Sequence, residues 1–177
     1  MRIHMTIKII ALSIVFFLIG IIAIKNVRAQ VHVSNKAYDI TLSTLLTHSV
    51  QEVGVDDIAN AKDIILLDAR EKNEYDVSHI AKAIWVGYDD FNLNRITEIP
   101  KDKNIIVYCS VGYRSEKIAE KIIADGYTNV SNLYGGIFEW VNTNHTVVND
   151  SNIPTDSIHA YDKTWGVWLQ RGEKVYD

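Results

Sequence analysis

The spacing of apolar and polar positions changes several times along the chain, and each change predicts an element. Residues 64–67 (Ile-Ile-Leu-Leu) and 105–108 (Ile-Ile-Val-Tyr) are short, unbroken apolar runs, the pattern of strands buried on both faces of a parallel sheet. Residues 130–134 read as another strand, closed by a turn at Gly135-Gly136. Between the strands the period lengthens. Ile118, Ala119, Ile122 and Ile123 form an apolar stripe at helical spacing, and Gly126 stops that helix where a left-handed residue is needed. Residues 71–77, and with a weaker pattern 91–96, are helical candidates. Ahead of them, 40–46 reads as a short amphipathic helix and 50–55 as an edge strand. Strands alternating with helices predict an α/β fold: a mostly parallel sheet flanked by helices on both faces.

Two regions lie outside that alternation. At the start, a basic stretch (Arg2, Lys8) precedes sixteen almost wholly apolar residues, 9–24, and then Lys25 and Arg28. This order is that of an export signal. Val27-Arg28-Ala29 supplies a small-x-small cleavage site, which would make Gln30 the mature start. The apolar run falls short of the roughly 20 residues of a membrane span, so the rival reading is a retained anchor. Either way the domain is expected outside the cytoplasm, in the periplasm or cell envelope. At the other end, residues 143–177 are polar and then aromatic, with Tyr161, Trp165, Trp168 and Tyr176. They read as a tail packing its aromatics onto the domain, with a partner-docking segment as the alternative. The expected organisation is therefore 1–29 signal or anchor, 30–55 extension, 56–142 domain and 143–177 tail.

Charge narrows the partners. Residues 1–29 hold four basic residues and no acid, leaving 14 basic against 22 acidic residues beyond them, a formal net charge of −8. A nucleic-acid binder normally carries a basic face, so no nucleic-acid partner is expected. The six histidines have no ligand spacing with cysteine or acids, so neither a metal nor another cofactor is expected. One cysteine excludes an internal disulfide.

That cysteine, Cys109, stands at the carboxyl end of the 105–108 strand, where open α/β sheets bind ligands. The helix after it presents unpaired N–H groups and the positive end of its dipole. Gly112 lets the intervening backbone turn so that successive N–H groups converge. Arg114 adds a permanent cation. Donors and positive charge favour a negatively charged sulfur, so the loop reads as a reaction centre, against the commoner reading of a lone cysteine as an inert buried residue.

Cys109-Ser110-Val111-Gly112-Tyr113-Arg114-Ser115 resembles the active-site loop of the rhodanese (thiosulfate sulfurtransferase) family in its single-domain form. Three other stretches agree in order and approximate spacing. Leu67-Asp68-Ala69-Arg70-Glu71 resembles the Asp-x-Arg strand end. Residues 75–83, with Tyr75, His79, Ile80 and Ala83, resemble the aromatic-x₃-His-Ile-Pro-Gly-Ala signature. Gly135-Gly136-x₃-Trp140 resembles the closing motif. Ala81-Lys82 stands where the family usually has Pro-Gly, and Ser78 where Gly is common, departures that concern a turn.

The resemblance implies that Cys109 takes the outer sulfur of a donor such as thiosulfate, becomes a persulfide, and passes the sulfur to cyanide or a thiol, covalently and in two steps. The thiol acceptor could be a small molecule or a thioredoxin-like protein. Backbone N–H groups of Ser110, Val111, Gly112, Tyr113, Arg114 and Ser115 would hold the charged outer sulfur. Arg114 would position the donor's sulfonate or hold the loop in shape. Arg70 is a candidate for added positive potential, although a surface ion pair is the plainer reading. Asp68 is expected to cap the next helix or orient the loop, and His79 to bond backbone. A persulfide carrier or redox-partner module is the alternative to an enzyme, and a phosphatase or arsenate reductase on the same fold a third reading. The resemblance counts against the third, because only four residues separate Cys109 from Arg114 where the related phosphatases have five.

Overall fold

The computed structural model describes residues 31–177; the expected signal or anchor at 1–29 lies outside the described residues. Among these, no helix is long and apolar enough to cross a membrane. The order is α1 (Lys36–Leu45), β1 (Gln51–Val53), α2 (Val55–Ile58), β2 (Ile64–Asp68), α3 (Lys72–Val77), β3 (Ile84–Trp85), a 3₁₀ turn (Leu93–Ile96), β4 (Asn104–Tyr108), α4 (Tyr113–Ala124), β5 (Asn129–Leu133) and α5 (Gly136–Asn142). Beyond these come β6 (Val147–Val148), β7 (Pro154–Thr155), β8 (Ser157–His159), a second 3₁₀ turn (Gly166–Trp168) and β9 (Glu173–Val175).

The central sheet has the order β1-β5-β4-β2-β3, and every pairing in it is parallel. Strand β4, in the middle, shows why its sequence has no polar face. Ile106 and Tyr108 enter one apolar layer with Tyr38, Leu42, Ile137 and Phe138. Ile105 and Val107 enter the other with Ile118, Ala119 and Ile122. Alternate side chains thus point to opposite layers, each covered by helices.

The helices begin and end for local reasons. Asn35 caps α1, its side-chain oxygen accepting from Ala37 and Tyr38 N–H. Asp125 ends α4, and Gly126 follows at φ +96°. The 91–96 segment makes only a 3₁₀ turn, with Asn92 capping it. The sequence pattern missed β3, which is two residues long, and α5, whose Gly-Gly start reads as a turn.

The tail covers the domain. Strand β6 pairs antiparallel with β7, and Val148 also pairs with His79, each N–H donating to the other's carbonyl at 2.9 and 2.8 Å. β8 lies parallel to β9. Ile158, Ala160 and Leu169 are buried in the layer that holds α1 and α5, and Trp168 stacks on Tyr38 at 5.2 Å between ring centroids.

Candidate active site

Cys109 follows β4 directly, and the loop it starts runs through Gly112 into α4. Its Sγ accepts a hydrogen bond from the Gly112 N–H at 3.1 Å. Gly112 sits at φ +129°, a conformation that strains any residue with a side chain. The first-turn N–H groups of Tyr113, Arg114 and Ser115 have no carbonyl one turn earlier inside the helix to bond. Ser115 fixes the turn: its Oγ donates to Gly112 O at 3.0 Å and Asn132 Oδ1 at 2.7 Å, while Asn132 Nδ2 donates to Gly112 O at 3.0 Å. Helix α5 supports the loop from behind. Ile137 N–H donates to Cys109 O at 2.9 Å and Phe138 N–H to Ser110 O at 3.2 Å. Gly136, at φ +56°, brings its backbone so close that a Cβ there would collide with the carbonyl oxygens of both Cys109 and Ser110.

Arg114 is held in a bidentate ion pair with Glu74 of α3, its two terminal nitrogens at 2.5 and 2.8 Å from the carboxylate oxygens. Ser110 Oγ completes the cluster, donating to Glu74 Oε1 at 3.1 Å and accepting from Arg114 at 3.0 Å. Burial by itself would raise the Glu74 carboxyl, but the hydrogen bonds and charge of Arg114 outweigh it and hold the group below its usual range. For Arg114, burial works against the cation, and Glu74 together with the Cys109 sulfur more than offsets it. A charged arginine thus lies beside the sulfur, oriented by an acid that sequence reasoning missed. The signal available for Glu74 was its position three residues after Glu71, whose backbone N–H it accepts at 3.0 Å.

The structure corrects the reading of Arg70 and Asp68. Arg70 has no exposed surface, so it contacts no substrate, and its ion pair is buried rather than superficial. Its Nε and Nη2 reach Asp68 at 2.9 and 2.6 Å, and Nη2 also donates to Ser78 O at 2.6 Å. Asp68 does not cap the next helix. It turns the chain at its own strand end, accepting the Arg70 N–H at 3.0 Å, while Glu71 occupies the cap position of α3. His79 lies beside Tyr75, rings stacked at 3.8 Å, with Nδ1 3.0 Å from Tyr75 O. None of these three lines the cavity over Cys109.

That cavity encloses about 260 Å³. The loop contributes Cys109, Ser110, Val111, Tyr113 and Arg114; α1 contributes Leu45; and the tail contributes Tyr161 and Trp165. The Tyr161 ring lies under the Arg114 guanidinium at 4.8 Å. Cys109 is only 1% exposed, at the floor. Neither Tyr161 nor Trp165 was a predicted site residue; the available signal was the aromatic cluster in the tail.

A five-stranded parallel sheet with its one cysteine in the loop at the carboxyl edge, ahead of a helix N-terminus, defines an α/β protein of the kind that places its ligand site at that edge. The family model described as a Rhodanese-like domain matches residues 54–143, just over half of the chain. The chain belongs to that family. Among curated relatives, a tRNA uridine(34) hydroxylase from Photorhabdus laumondii is 36% identical over 91 residues, 49% of this chain and 26% of that protein. The chain thus matches about a quarter of that relative's length. Among solved structures, the BH2092 protein from Bacillus halodurans is 28% identical, with a TM-score of 0.52 over 65% of this chain and 85% of that one. A thiosulfate sulfurtransferase from Pseudomonas aeruginosa is 19% identical with a TM-score of 0.53, covering 61% of this chain and 22% of that one, a likeness of fold alone.

Proposed function

We propose that this protein is a sulfurtransferase working through a Cys109 persulfide. The observation that supports the reading most is the sulfur of Cys109 accepting the Gly112 N–H at the start of α4, beside a charged Arg114. The thiolate attacks the outer sulfur of a donor R–SO₂–S⁻; the S–S bond of the donor breaks, and its electron pair leaves with the sulfinate or, from thiosulfate, with sulfite. Cys109 is left as S–S⁻, held by the loop N–H groups as donors hold a developing anion. A thiol or cyanide acceptor then attacks the outer sulfur and restores the thiolate. Arg114 keeps the loop in shape through Glu74.

The hydroxylase name belongs to relatives of which this chain matches about a quarter. The second reading is a persulfide carrier, in which Cys109 holds sulfur for another protein. Incubation of the full chain with a sulfane-sulfur donor is expected to add one sulfur atom to Cys109 by mass spectrometry, and cyanide is expected to release thiocyanate over repeated turnovers. A persulfide that forms but turns over no more than once would assign the carrier role. No persulfide from any donor would overturn both. We also propose export, from the pattern of residues 1–29; native protein beginning at Gln30 on N-terminal sequencing would mark the cleaved form, and a soluble cytoplasmic protein retaining Met1 would overturn it.

A further inference from the structure

We infer that the sulfur donor of this protein has an uncharged, apolar body, and that Tyr161 and Trp165 of the tail select it over thiosulfate. The inference rests on the persulfide reading above and names its substrate class. Among the described residues, Arg114 is the only cationic side chain lining the cavity, and its charge is already matched by the bidentate Glu74 carboxylate. The second arginine near the sheet edge, Arg70, is buried against Asp68 and reaches nothing in the cavity. A thiosulfate dianion would therefore enter without a free counter-charge, into a chain that beyond residue 29 carries a net charge of −8.

The walls point the other way. Leu45, Val111, Tyr113, Tyr161 and Trp165 give the cavity an apolar and aromatic lining, and about 260 Å³ is far more room than one sulfonate fills. Such a lining gains from an organic group that leaves water, while the loop N–H groups deal with the one charged sulfur. The Tyr161 ring, its centroid 4.8 Å from the guanidinium carbon of Arg114, covers a face from which an anion would otherwise approach. The donor class is thus an organic thiosulfonate or persulfide with one negative sulfur on a hydrophobic skeleton. The reaction is unchanged: the Cys109 thiolate takes the terminal sulfur, the S–S bond of the donor breaks, and the electron pair leaves with the organic sulfinate or thiolate.

Benzenethiosulfonate and methanethiosulfonate share the reacting head and differ in the body, so their comparison isolates the walls. With the full chain, kcat/KM is expected to favour benzenethiosulfonate over methanethiosulfonate by about tenfold or more, with thiosulfate below both. Trp165→Ala is expected to bring the benzene-to-methane ratio close to one. Tyr161→Ala, at a residue 45% exposed and so of small consequence for folding, is expected to lower it severalfold. A wild-type ratio near one, a ratio unchanged in both variants, or thiosulfate used as well as benzenethiosulfonate would overturn the inference while leaving the persulfide reading intact. No persulfide on Cys109 with any of the three donors would overturn the reading itself.

Discussion

Glu74 decides what Arg114 can do. Its carboxylate is buried, and losing it leaves a nearly buried guanidinium without its counter-charge, which costs far more than breaking an exposed pair. Glu74→Gln is expected to lower unfolding stability by about 3–5 kcal/mol at neutral pH, measured by urea titration. Because the folded-state value of Glu74 lies below its ordinary 4.5, the contribution is complete above 4.5 and disappears as pH falls through the lower value. The gap between wild type and Glu74→Gln should therefore close below pH 4.5 and stay constant above it; a gap that persists in acid would separate the stability of Glu74 from its charge. Cys109→Ser should keep the wild-type circular dichroism spectrum and take up no sulfur. The cysteine, glycine and arginine of the loop were legible because their chemistry is local to a seven-residue stretch. The burial of Arg70 was not, because it depends on the Ser78 carbonyl eight residues away and on layers of sheet and helix that no spacing rule reports.

At the scale of elements, the helix start at Gly135-Gly136 is as much a part of the site as the cysteine loop. Its two N–H donors hold the carbonyls of Cys109 and Ser110, and that approach leaves no space for a side chain at Gly136. Gly136→Ala is expected to cost about 2–4 kcal/mol, above an ordinary strained-glycine replacement because backbone must move, and to slow persulfide formation by displacing the loop. Gly112→Ala would place its Cβ in ordinary van der Waals contact, the nearest atom lying at 3.5 Å, so its cost should reflect φ alone, about 1–2 kcal/mol. Urea titration and the rate of single-sulfur uptake would check both; equal costs would remove the close-approach argument. The central strands and α4 were legible because apolar runs and a helical stripe are strong periodic signals. β3 and the tail strands, two or three residues each, are too short to show a period, and α5 hides behind a pair of glycines that normally mark a turn.

At the scale of the molecule, the site is assembled from three stretches far apart in sequence: α1, the cysteine loop and the tail. The tail is anchored away from the cavity, by Leu169 in the core and by Trp168 on Tyr38. Leu169→Ala is expected to cost about 2–4 kcal/mol, with loss of the benzenethiosulfonate preference at temperatures where the tail loosens but the sheet persists; retention of that preference throughout melting would show the wall stands without its anchor. The same arrangement makes Cys109 a sieved thiol. Lying at the floor of a cavity and 1% exposed, it can be reached by a slender reagent and not by the blunt surface of a folded protein. Iodoacetamide should label it readily while a dye-sized maleimide labels it slowly until the tail is displaced. Passing sulfur to another folded protein would then require either a small shuttle thiol or a swing of residues 161–165, and the relative speed of the two labels measures how often that door stands open.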